Sequence, residues 1–357
     1  MSKIPGIIVS ATRWFTGKTA FCLGLALNMQ NQGYKIGFFK PIVHIESGFL
    51  HDMDVITFRK MLNLKEPYEV IAPIQLGPNF LEGYINADLN GLKKLVLNAY
   101  EKVCEGKDFI IIEGLHTYNT GCLINLSVPI LSKMLDLKTL LLSKIESDFS
   151  IDDIILANNC IKSDGKLLGV ILNRVPRLLY KRAKEVIVPE LEKREIKVFG
   201  LIPENRTLIA RTAREIHESL GGEILACEEC LDNLVEEVLI GAMTYESALK
   251  YFMRVPNKAV VTGGDRADIA LAALQTDTSL LIFTGNLYPS QKVLNEAESK
   301  KVPVILVPTD TYTTIKNLER VTGRIGPEDK KRAELAKEIV EKHVDWKSLI
   351  EEAGLKK

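Results

Sequence analysis

The sequence lacks any apolar run near the roughly 18 to 20 residues that a membrane-spanning helix needs, so no membrane partner is expected. It also lacks an excess of one charge. Lys plus Arg number 46 against 46 for Asp plus Glu, which removes a chain-wide electrostatic reason to attract nucleic acid or an acidic membrane surface. The opening MSKIPGIIVS runs straight into a strand-like segment with no signal-peptide pattern, and a cytoplasmic location is expected. Cysteine is scarce, six in 357 residues, so a disulfide scaffold is excluded. Cys22, Cys122 and Cys160 lie in apolar segments and are expected to be reduced core residues. Cys227 and Cys230 share zinc-knuckle spacing, but no second Cys-x-x-Cys accompanies them, and they are expected to be packed or surface thiols. No repeat or low-complexity tract is evident.

What is present is ordinary globular material, 46% hydrophobic and 26% charged, in a chain long enough for two cores. Short β-rich runs alternate with helical stretches: IPGIIVS, a helix from Lys18 to about Gln32, YKIGFFK, KDFIIIEG, KTLLLS, KLLGVILN and KVFGLIP. That alternation predicts a mostly parallel, doubly wound α/β sheet, and continuous apolar runs predict strands covered on both faces. After Asn205 a second set follows, with strands at EVLIGAM, KAVVTGG, SLLIFTG and PVILVPT. The reading is a domain over 1–205, a smaller α/β domain over 206–325 and a charged helical tail over 326–357. Pro327 suits the first helical turn of that tail.

The first strand leads into Ala11-Thr12-Arg13-Trp14-Phe15-Thr16-Gly17-Lys18-Thr19 and then an apolar helix. A phosphate-binding loop needs backbone N–H groups at a helix N-terminus, a Lys as point charge and a Ser or Thr hydroxyl for Mg²⁺. Gly17, Lys18 and Thr19 supply these parts, while Thr12 stands where the usual first glycine would be. Lys40 and Glu113 both end strands, where open α/β sheets bind ligands. Asp52 and Asp54 precede a helix, as caps or as metal ligands. Trp14 and Phe15 either stack on a base or pack as a loop lid, and His116 and Tyr118 follow Glu113 closely enough to line the same cleft.

These residues make the N-terminal two-thirds resemble dethiobiotin synthetase, a P-loop family whose loop reads G-T-D-T-x-x-G-K-T. Arg13 replaces the acidic residue of that pattern; Lys40-Pro41, Asp54, Glu113-Gly114 and Asn173-Arg174 match it. Leu208 to Leu225 and Val261-Thr262-Gly263-Gly264-Asp265-Arg266 resemble a DRTGG domain. Together the two are similar to the N-terminal region of long phosphotransacetylases and their free-standing relatives. The resemblance implies ATP or another purine nucleotide with Mg²⁺ as cofactors. It places Lys18, Lys40 and Glu113 in catalysis, Thr12, Arg13, Gly17, Lys18, Thr19 and Asn173 on the nucleotide, and Thr19, Asp54 and Glu113 on the metal. It further implies a homodimer. Two functions follow as expectations: a nucleotide-binding regulatory or sensory protein without the acetyltransferase domain, acting in trans on acetyl-phosphate or acetyl-CoA metabolism, or an ATP-dependent carboxylase or ligase on a small molecule. Arg13, Trp14, Phe15 and the LHTYNTG segment after Gly114 depart from the synthetase pattern and predict a different substrate pocket. In the second domain, Gly263, Gly264, Asp265 and Arg266 form a candidate ligand turn, with Asp265 as the alternative helix cap.

Overall fold

A computed structural model describes residues 4–45, 50–77, 79–318, 321 and 323–356. The chain divides into two units, one formed by Met1–Glu204 with Ile325–Lys357 and the other by Asn205–Arg324.

The first unit is built on six parallel strands: β1 Gly6–Ala11, β2 Ile36–Phe39, β3 Phe109–Glu113, β4 Lys138–Lys144, β5 Lys166–Val175 and β6 Val198–Pro203. They lie side by side in the order β2-β3-β1-β4-β5-β6. Strand β1 is buried along its whole length, as its unbroken apolar run requires of a strand covered on both faces. Ile8, Ile110 and Ile112 pack with Val96, Ala99 and Val103 from the helix Leu89–Cys104. Leu141, Val170 and Leu172 pack with Ile154, Ala157 and Ile161 from the helix Ser150–Asp164. Register decides which strand ends meet. Val9 pairs with Glu113, Phe39 with Ile112 and Ala11 with Leu142, so the C-terminal ends of β2, β3 and β4 flank the loop that leaves β1.

The C-terminal tail belongs to this unit. Its helix Lys330–His343 lies along α1 (Lys18–Asn31), where Asn28 Nδ2 donates to the Lys337 carbonyl at 2.9 Å. Pro327 does not open the helix. It sits in a preceding turn, and Asp329 caps the helix by accepting from Arg332 N.

The second unit carries a five-stranded sheet: β7 Glu223–Ala226, β8 Glu237–Ile240, β9 Lys258–Gly263, β10 Thr278–Thr284 and β11 Val304–Leu306. Their order is β7-β11-β10-β9-β8. Strands β8 to β11 are parallel and β7 is an antiparallel edge. Alternate residues feed two cores: Val260, Leu281 and Phe283 join Phe252, Ile269 and Val293, while Ala259, Val261 and Ile282 join Ile216 and Leu318. The whole chain is therefore α/β: a six-stranded parallel sheet followed by a smaller mixed one. Among the described residues no helix is long and apolar enough to cross a membrane. All six cysteines are free; Cys22 is buried as expected, but Cys160 is half-buried and Cys122 is exposed, on a short 3₁₀ turn.

Candidate phosphate-binding site

The loop between β1 and α1 is shaped by a left-handed residue at its end. Gly17 has φ 87° and ψ 28°, a region that costs a side chain of L chirality and leaves glycine unpenalised. A Cβ there would also lie 2.7 Å from Asn173 Nδ2. Phe15, with φ 56°, turns the loop in the same sense. Strand β5 holds these turns from beside: Asn173 Nδ2 donates to the Thr16 carbonyl at 2.6 Å and Arg174 Nη1 to the Phe15 carbonyl at 2.8 Å. The Asn173-Arg174 pair thus lies against the loop backbone. Thr12 makes a 3.0 Å hydroxyl contact with Ser143 at the end of β4. Exposed Arg13 is tied to Glu146 at 3.0 Å and to Asp153 at 2.8 Å. No local sequence signal marks either acid.

At the start of α1 the charged groups converge. Lys18 is buried and its Nζ donates to the His116 carbonyl at 2.6 Å. Burial lowers its pKa, with Glu113 opposing and Lys40 adding to the shift. Thr19 Oγ1 lies 3.0 Å from Glu113 Oε1 and 3.3 Å from Asp54 Oδ2. Lys40 Nζ is 2.7 Å from Asp54 Oδ2, 3.1 Å from Asp52 Oδ2 and 3.8 Å from Glu113 Oε1. Burial alone would depress the Lys40 ammonium, but Asp54, Glu113 and Asp52 hold it well above its ordinary value. Asp52 does two jobs: it caps α2 (Met53–Met61) by accepting from Asp54 N and Val55 N, and it pairs with Lys40. Burial, opposed by Lys40, raises its pKa. Glu113 is pushed up to about 7 by burial, against the pull of Lys40.

Two buried oxygens beside this cluster, Glu113 Oε2 and Thr16 Oγ1, have no hydrogen-bond partner among the described residues, an arrangement that normally marks a place for a further polar group. Three oxygen donors of Thr19, Asp54 and Glu113 with no sulfur or imidazole among them suit a hard divalent cation such as Mg²⁺. The helix N-terminus with Lys18 suits phosphate oxygens. Trp14 stacks flat on His116, ring centroids 3.6 Å apart at 9°. Tyr118 instead packs into the hydrophobic clusters on the sheet.

The candidate turn of the second unit is more occupied than its sequence implies. A Cβ on Gly264 would overlap the Leu287 carbonyl, so backbone of this chain already fills the close approach that the glycine permits. Arg266 grips Asp268 with Nε and Nη2 at 3.0 and 3.1 Å and donates to the Met243 carbonyl at 2.7 Å. Asp265 does not cap the helix Ala267–Leu274; Arg266 stands at the cap position without a side-chain capping bond. Asp310, ahead of the later helix Thr311–Leu318, accepts from Thr313 N at 3.0 Å.

A strand, a left-handed glycine, a buried Lys at a helix start and a carboxylate on the neighbouring strand define the first unit as a P-loop domain, a class that implies nucleotide binding. Comparison with known proteins agrees: residues 5–212 match the AAA domain family and residues 215–321 match the DRTGG domain. The chain belongs to the AAA domain family and carries a DRTGG domain. It is 27% identical to the phosphate acetyltransferase of Nitratidesulfovibrio vulgaris over 368 residues, covering 96% of this chain and 51% of that protein. It is 32% identical to the ATP-dependent dethiobiotin synthetase of Methanocaldococcus jannaschii over 114 residues, 30% of this chain and 51% of the relative. Among solved structures, a MinC:MinD cell division protein complex from Aquifex aeolicus aligns with 57% of this chain and 83% of its own at 17% identity and a TM-score of 0.39. The match to phosphate acetyltransferases is to their N-terminal half, and the chain spans about half the length of the curated relatives it matches.

Proposed function

We propose that the first unit binds Mg-ATP or a related purine nucleotide, and that the chain is a cytoplasmic regulatory or sensory protein acting in trans on acetyl-phosphate or acetyl-CoA metabolism. The observation that carries the nucleotide reading is the convergence of Lys18, Thr19, Lys40, Asp54 and Glu113 at one helix start. In this reading Lys18 leaves the His116 carbonyl for a phosphate oxygen, while Thr19, Asp54 and Glu113 hold the cation. Lys40 balances the carboxylates, and Thr12, Arg13, Gly17 and Asn173 shape or line the nucleotide cleft. The match of nearly the whole chain to the N-terminal half of phosphate acetyltransferases supports the regulatory role. A thermal melt tests the nucleotide. Ligand at 100 times its dissociation constant stabilises the native state by about 2.7 kcal/mol, and Lys18→Ala abolishes the shift. No shift with any nucleotide at millimolar concentration overturns the reading.

A second reading, an ATP-dependent carboxylase or ligase, is favoured by the buried Lys40–Asp52–Asp54 ion cluster, which exceeds what phosphate binding alone needs and can orient a carboxylate or carbamate. ATP turnover stimulated strongly by one small metabolite with bicarbonate selects this reading over the first. Either form is proposed to act as a homodimer, tested by light scattering with nucleotide present. The turn Gly263, Gly264, Asp265 and Arg266 is proposed as a small-anion site coupled to the nucleotide. Coupling of about 1–3 kcal/mol changes affinity 5- to 150-fold in both directions. Nucleotide affinity that is identical with and without added anion, in wild type and Arg266→Ala, leaves that turn structural.

A further inference from the structure

Outside the P-loop, one cluster of ligating side chains in the second unit stands apart from everything above. Strand β7 ends at Ala226, and Cys227 then takes a left-handed conformation, φ 52° and ψ 50°. This reversal throws the chain into the 3₁₀ turn Glu228–Cys230, closed by Cys230 N donating to the Cys227 carbonyl at 2.9 Å. The turn folds both thiols and the Glu229 carboxylate together: one ligand atom from each of Cys227, Glu229 and Cys230 lies within 4.8 Å of the others.

We propose that Cys227, Glu229 and Cys230 form a site for one thiophilic divalent cation, with zinc as the type. A tetrahedral zinc with Zn–S bonds near 2.3 Å sets its sulfurs roughly 3.8 Å apart, so closing on the ion requires shifts of about 1 Å or less. Exposure is graded across the site. Cys227 is buried, Cys230 half-buried and Glu229 exposed, which leaves an entry path and a fourth position for water. The local field favours a cation. Among the described residues no ion pair involves Glu228 or Glu229, so no basic side chain already claims the carboxylates of this turn. A bound divalent ion takes both sulfurs as thiolates, releasing their protons. The site sits where it can act as a clamp. Strand β7 is an antiparallel edge whose pairing with β11 breaks register between Ile224 and Ala226, and Cys227 Sγ is 3.7 Å from the Ala297 carbonyl of the helix Gln291–Lys300. A metal there fixes the end of the edge strand.

The test is a Co²⁺ titration of the reduced, metal-free full chain, followed by absorption in the thiolate-to-metal charge-transfer region, with Zn²⁺ added afterwards as competitor. The expected result is saturation at one Co²⁺ per chain and displacement by Zn²⁺. Cys230→Ser, a near-isosteric change at a half-buried position, abolishes the band, and Glu229→Gln fails to saturate at the concentration that fills the wild type. Cys122→Ser leaves the band intact, a needed control because Cys122 and Cys160 are also electrostatic neighbours. Absence of the band, its persistence in both Cys227→Ser and Cys230→Ser, saturation at half an ion per chain, or unchanged affinity in Glu229→Gln each overturns the three-ligand site.

Discussion

Replacing Asn173 by Ala separates two roles that the residue could play beside the P-loop. Its amide donates to the Thr16 carbonyl at 2.6 Å across 157 positions of sequence, and it is buried. Removing the donor strands that carbonyl away from water, which costs about 1–3 kcal/mol. For a unit formed by Met1–Glu204 with Ile325–Lys357, each kcal/mol moves the melting temperature by about 2–4 °C. The variant without nucleotide should therefore melt roughly 2 to 12 °C lower, the upper end requiring the full cost. The affinity change should be indifferent to the base, because a loosened loop weakens its grip on phosphates whatever they carry. The assay is a thermal melt without ligand, then calorimetric titration with ATP, GTP and tripolyphosphate. An unchanged ligand-free melt, with the affinity loss confined to adenine nucleotides, would refute the reasoning and make Asn173 a base-reading residue.

Lys40→Met should destabilise the first unit by about 3–5 kcal/mol, because it leaves Asp52, Asp54 and Glu113 crowded without their counter-charge. Without Lys40 the folded state holds protons more tightly than the unfolded one, so the urea midpoint deficit should grow from pH 5 to pH 8. Lys258 is fully buried and donates to the Asp277 carbonyl at 2.6 Å, and burial lowers its pKa to about 8. The unfolded chain thus binds more protons above that value, and wild-type stability should rise by up to about 1.4 kcal/mol per pH unit between about 8 and 10.5. Lys258→Met should lose that rise in denaturant melts. Trp14 stacks on His116, whose carbonyl accepts from Lys18; with the second tryptophan removed as Trp346→Phe, nucleotide binding should change the remaining emission. An unaltered spectrum at saturating nucleotide means that Lys18 does not leave His116.

The sequence by itself determined the α/β class and the strand-ending positions of Lys40 and Glu113, because the apolar period of each strand and the glycine at a helix start are local signals. The same pattern placed Lys18 and Thr19 on the first turn of α1, and the DRTGG-like string at the end of β9. Tertiary structure decided the rest. Parallel register set Glu113 beside Val9 and the end of β2 beside Ile112, turning separate acids and bases into one buried cluster. Folding-back of the tail onto α1 joins Asn28 to Lys337, 309 positions apart, and no local pattern encodes which surface an amphipathic helix covers. Arg13 finds Glu146 and Asp153, and Arg266 finds Asp268 and Met243. A basic residue in the sequence carries no mark of whether a neighbouring carboxylate will claim it. Cys122, apolar by its surroundings in sequence, ends exposed because a short turn and not a strand carries it. Periodicity reports which face of an element is apolar; which elements meet is a property of the whole chain's packing.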